Sequence, residues 1–221
     1  MKYRMCGLIC ALLTFSFLHP ALAVPGPAQL GRGAEDLAYR CVGREGPLSY
    51  EREVDYCTQV MHSTVYHGFA WPYLARAIAY SHLGKFDLAL ADLDAAVQLV
   101  TEKDSDKPTI YSQRCLMRVL NGKPLDQALS DCNEALSIQS DDFDTLDVRA
   151  YVEYKSGQYK EALTDYNAIA AGATLSQNSL HIRGLLKLKL GDADGGNADI
   201  ATAAAMPKMD PSKYAGYNLA P

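Results

Sequence analysis

An all-α fold built from a row of antiparallel helix hairpins is what the sequence predicts, and three observations carry it. Apolar residues between Tyr73 and Leu99 recur at helical spacing in two runs: Tyr73, Ala77 and Tyr80 on one face of the first, and Leu88, Ala89, Leu93, Ala96 and Val97 on one face of the second. Gly84 divides the runs, and glycine can take the left-handed conformation that ends a helix. The layout then returns three times, its dividing glycines Gly122, Gly157 and Gly191 following Gly84 at intervals of 38, 35 and 34 residues. One hairpin cannot bury its apolar faces alone, so it requires neighbours of its own kind.

Each copy repeats the first in residue type. The second has Tyr111, Arg114, Cys115, Gly122, Ala128, Cys132 and Ala135, with Pro124 as one extra residue after the turn. The third has Leu146, Arg149, Ala150, Gly157, Tyr159, Ala162 and Tyr166, and the fourth Leu180, Arg183, Gly184, Gly191, Gly196, Ile200 and Ala203. Hairpins are therefore expected near 71–99, 109–138, 143–170 and 177–205. The pattern resembles the tetratricopeptide repeat, a unit of about 34 residues with the signature W-x2-L-G-x2-Y, then A-x3-F, then P. Tyr73-x2-Arg76-Ala77-x2-Tyr80 and Ala89-x3-Leu93 fill those places, while no unit keeps the closing proline. The resemblance implies a right-handed solenoid, with first helices lining a concave groove and second helices forming the back.

Ahead of the repeats, Lys2 and Arg4 form a charged start and Met5 to Leu18 an apolar run too short for an ordinary membrane helix. Ala21-Leu22-Ala23 is a small-x-small cleavage pattern, so residues 1–23 read as a signal peptide and Val24 as the mature start. The Pro- and Gly-rich stretch 24–33 reads as a flexible leader, and 34–221 as one repeat domain with units near 34–67, 70–103, 108–142, 143–176 and 177–210. The first of these is degenerate. Leu37, Arg40 and Cys41 match Tyr111, Arg114 and Cys115, and 53–60 resembles a second helix, but Gly43, Gly46 and Pro47 should shorten its first. At the other end, Asp210-Pro211 should start a short capping helix over 212–217, with Tyr214 and Tyr217 covering the last apolar face. The product is expected to be exported, periplasmic or secreted, with no membrane span after cleavage.

Without Lys2 and Arg4 the chain has 19 basic and 26 acidic residues, a net charge of −7, which argues against nucleic acid. It has no P-loop, no G-x-S-x-G, no H-E-x-x-H and no C-x-x-C. His62 and His67 read as loop residues, and Asp141-Asp142 as a helix start. Neither catalytic residues nor metal ligands nor a cofactor are expected.

Two pairings are written into the repeat. Every good unit has an arginine in its first helix and an aspartate in its second: Arg76 with Asp92, Arg114 with Asp131, Arg149 with Asp165 and Arg183 with Asp199, separated by 16, 17, 16 and 16 residues. The turn glycine lies midway, so an antiparallel hairpin brings the partners level, and a guanidinium can clasp a carboxylate at two points. The cysteines follow the same spacing, Cys41 to Cys57 being 16 apart and Cys115 to Cys132 17. An even count in an exported chain fits disulfides; four cysteines allow three connectivities, and hairpin geometry picks 41–57 and 115–132.

What remains is a surface. The columns that the resemblance would place along the groove are Leu74, Ile78 and His82; Ser112, Leu116 and Leu120; Asp147, Tyr151 and Lys155; and His181, Leu185 and Lys189. Such a mixture suits an extended peptide or a partner helix, with the same apolar residues able to serve as core instead. The leading expectation is a non-enzymatic scaffold or adaptor that binds another protein. The alternatives are a redox-active envelope protein using the cysteine pairs, and an accessory subunit of an envelope enzyme.

Overall fold

The computed structural model describes residues 32–43 and 49–206. These form ten α-helices and no strand: α1 Arg32–Cys41, α2 Tyr50–His62, α3 Trp71–His82, α4 Phe86–Leu99, α5 Lys107–Leu120, α6 Leu125–Ile138, α7 Phe143–Lys155, α8 Tyr159–Gly172, α9 Gln177–Lys189 and α10 Ala193–Ala205. The fold is an all-α helical repeat. The described residues fall into two units, one reaching Met117 and one starting at Arg118, so the boundary lies within α5.

In the first unit α1 packs on α2, α2 on α3 and α3 on α4. Its core is lined by small and medium side chains, Ala38, Cys57, Val60, Leu74, Ala77, Ala89, Leu93 and Ala96, all buried. The link from α2 to α3 contributes an aromatic plug: Tyr66 meets Trp71 edge-on at 5.2 Å and Phe69 at 6.4 Å. Pro72 sits in the first turn of α3, where its missing N–H breaks no helical bond.

In the second unit α7 pairs with α8 and α9 with α10, and α9 also packs against α8. One cluster joins Leu136, Leu146, Ala150, Ala162, Tyr166, Ile169, Leu180, Ile182, Leu186 and Ala203. Asp142, Ser176 and Asp192 cap α7, α9 and α10 by accepting backbone N–H bonds.

Four of the hairpins turn the same way. At Gly157, φ is +79°, and the N–H of Gln158 donates to the carbonyl of Glu153 at 2.8 Å while the N–H of Gly157 donates to Tyr154. This closure needs a left-handed residue, which only glycine supplies without steric cost. The same two bonds recur at Gly84, Gly122 and Gly191.

Bounds differ from the sequence reading in small ways. α5 starts at Lys107 and α8 runs to Gly172, two residues beyond the expected ends in each case. α1 starts at Arg32, inside the stretch read as leader, and His62 closes α2 instead of lying in a loop. The segment read as a signal peptide and the capping helix expected over 212–217 lie outside the described residues.

α9 and α10 cross closely at two glycines. A Cβ on Gly184 would stand 2.7 Å from Ile200 Cγ1 and 2.8 Å from the Gly196 carbonyl oxygen, and one on Gly196 would stand 2.8 Å from the Gly184 carbonyl. Backbone atoms cannot step aside, so Gly184→Ala is expected to destabilise by about 1–3 kcal/mol despite its better helix propensity. Gly33→Ala, with no atom within 4 Å, is the control and should be neutral or stabilising in the same thermal melt.

Candidate functional site

The clasps come first, because they set the first helices against the second. Arg76 donates from Nε and Nη2 to Asp92 at 2.8 and 2.7 Å, Arg149 to Asp165 at 2.7 and 2.8 Å, and Arg183 to Asp199 at 2.7 and 2.8 Å. Asp131 is met at 2.7 Å by Arg118, one turn after Arg114, and Arg114 reaches Asp94 on the preceding second helix at 3.3 Å. The third nitrogen of two other arginines does likewise: Arg76 Nη1 donates to Thr58 at 2.9 Å and Arg149 Nη1 to Asn133 at 3.0 Å. One guanidinium thus ties its own hairpin and the one before it, which suits a rigid fork with five donors.

The cysteines are equally internal. Cys41 and Cys57 are bonded, with Cα atoms 4.6 Å apart, and Cys115 and Cys132 are each in a disulfide. All four are buried.

The first-helix columns divide. Leu74, at 0% exposure, and Leu116, at 3%, belong to the core, and Asp147 is buried and accepts a bond from Ser179 Oγ at 2.7 Å. These three cannot touch a ligand in this arrangement, because apolar spacing and a satisfied carboxylate serve interior packing as readily as a groove. Ile78, Ser112 and Leu120 are half-buried, and the imidazole of His82 lies flat on Tyr50, centroids 4.2 Å apart. Tyr151, His181 and Leu185 are half-buried, whereas Lys155 and Lys189 are exposed. The open part of the columns is therefore on α7 and α9. The expected groove columns did not include Tyr154 and Tyr159, which flank the Gly157 turn and stand 6.3 Å apart.

No family model and no curated protein matches the chain. Solved structures do. One described as MamA is 15% identical over 86% of this chain and 98% of its own, with a TM-score of 0.63. MamA from residue 41 to its end, from Desulfovibrio magneticus RS-1, gives 13%, 79%, 94% and 0.64. YrrB, described as a TPR protein with an unusual peptide-binding site, gives 12%, 77%, 80% and 0.58. The chain has the tetratricopeptide-repeat fold.

Within that tetratricopeptide framework one position varies in charge. Four residues before each turn glycine stand Tyr80, Arg118, Glu153 and Lys187. Arg118 lies on Asp131, and Lys187 stands 3.0 Å from Asp199 as a second cation beside Arg183. Glu153 puts a carboxylate there instead. Its Oε1 is 3.9 Å from Arg149 Nε, and Oε2 is buried with no hydrogen-bond partner. Burial first, and then the charge of Asp165, pushes Glu153 up to about 7. Burial does the same to Glu53, and burial with Asp142 and Asp147 to Asp144, each reaching about 7.

The pH consequence has a definite sign. Carboxyls raised from 4.5 or 3.8 keep protons in the folded chain that the unfolded chain has released. Their contribution is fully present below their unfolded values and is lost as pH rises through 7. Urea midpoints are expected to fall between pH 5 and pH 8, and Glu153→Gln should flatten that fall. An identical slope in the variant would show that Glu153 has no raised pKa.

Proposed function

We propose that the protein is a non-enzymatic interaction module, an exported scaffold or adaptor that holds a peptide or a helix of a partner protein on its first helices. The observation that carries this reading is the exposed side of α7 and α9. It offers Tyr151, His181 and Leu185 with Lys155 and Lys189, a mixture of aromatic, apolar and cationic groups suited to gripping another chain. The peptide-binding site named for YrrB, on the same fold, supports it. Export follows from Lys2 and Arg4, the apolar run after them, and Ala21-Leu22-Ala23. The burial of all four cysteines weighs against a redox role, which needs an accessible thiolate.

The test is capture from an envelope extract on the immobilised protein, beside a Tyr151→Ala/Leu185→Ala variant. One or a few proteins should be retained and then lost with the variant. Retention of none, or equal retention by both, would sink the reading.

A further inference from the structure

The turn at Gly157 folds Tyr159, the first residue of α8, back beside Tyr154, near the end of α7. Lys155, the last residue of α7, carries its ammonium 5.4 Å from the Tyr151 ring centre and 5.8 Å from that of Tyr154. Lys189 closes α9 one repeat later, 34 residues on, and its ammonium stands 4.8 Å from the Tyr159 ring. Rings and cations thus make one continuous chain, Tyr151–Lys155–Tyr154–Tyr159–Lys189. Both lysines are exposed, and the rings are half-buried.

We propose that this patch docks an acidic segment of the partner protein, with carboxylates on Lys155 and Lys189 and an aromatic or aliphatic side chain over Tyr154 and Tyr159. The proposal rests on the interaction-module reading and adds the chemistry of the partner. Charge complementarity selects the occupant. A solvent-exposed ammonium beside a ring can donate to a carboxylate, and the ring faces offer apolar area at low entropic cost. The chain as a whole carries a net charge of −5, so acidic peptides are repelled elsewhere and steered to a local pair of cations. A single-stranded nucleic acid also stacks on aromatics, but it needs a basic track along its backbone, and this acidic chain offers two cations at one place.

The experiment is a random peptide array probed with the purified protein, followed by anisotropy titration of the strongest peptide, with a fluorescein-labelled oligothymidine run alongside. Retained peptides should be rich in Asp and Glu with an aromatic or leucine. Their binding should weaken steeply with salt and fall at least about tenfold in the Lys155→Gln/Lys189→Gln variant, whose melting temperature should match the parent's. Peptides retained without acidic preference, or unaffected by the double variant, would overturn this proposal and leave the interaction module standing. Tighter binding of the oligonucleotide than of any peptide would overturn it in favour of nucleic acid. An array with no retained peptide would remove both readings.

Discussion

Replacing Arg149 with alanine should destabilise the protein by about 3 kcal/mol, far more than a surface charge change. The guanidinium makes a two-point contact with Asp165 and a third bond to Asn133. Without it, Asp165, 5% exposed, and Glu153, 7% exposed, would face each other across α7 and α8 with the Arg149 cation gone. Breaking a buried pair by removing one partner costs about 3–5 kcal/mol; the arginine is itself partly open to water, which sets the lower end of that range. Arg183→Ala is the informative comparison, because Lys187 would remain on Asp199 and hold the loss to about 1 kcal/mol. Urea denaturation of both variants decides the matter. Equal losses would show that the second cation contributes nothing.

The Cys41→Ala/Cys57→Ala variant should lose about 3 kcal/mol through the freed chain between them, in the loop-entropy account. Both sulfurs are buried in the α1–α2 hairpin, so alanine leaves little surface change, and the effect should be local. Amide exchange should accelerate in α1 and α2 while α7 to α10 keep their protection. In the parent protein the bridge should resist thiol reductants until the chain unfolds. Rapid reduction of the folded protein would instead mark an accessible redox pair and restore the alternative that burial weighs against.

The helices were legible because their signals are local. A glycine that must take positive φ stops each first helix at a fixed place, and Gly84, Gly122, Gly157 and Gly191 all do so. The arginine–aspartate separation of 16 was informative for the same reason: with a turn glycine midway, equal steps outward and back put Arg76 and Asp92 at one level. Which side of a helix meets a neighbour is not local. Leu116 and Leu185 hold the same place in their columns, six residues before the turn glycine, yet one is interior and the other half-buried, because the answer depends on what packs against each helix. The bonds from Arg76 to Thr58 and from Arg149 to Asn133 had no readable signal either, since the acceptors differ in type and lie 18 and 16 residues back. The odd carboxylate at Glu153 was readable in principle, by lining up Tyr80, Arg118, Glu153 and Lys187 against their glycines.

The Cys41–Cys57 bridge also bears on how the chain acquires its native form. Beyond the apolar start, these two are the first cysteines in the sequence, and 58 residues separate Cys57 from the next, Cys115. A polypeptide threading amino-end first into an oxidising compartment would offer a complete native pair before any competing thiol emerged. The shorter ring is also the entropically cheaper one to close. An oxidant alone should therefore suffice for this bond, with no call on an isomerase to unscramble it, so that under the export proposed above the first hairpin would mature at the pace of thiol oxidation rather than of disulfide reshuffling.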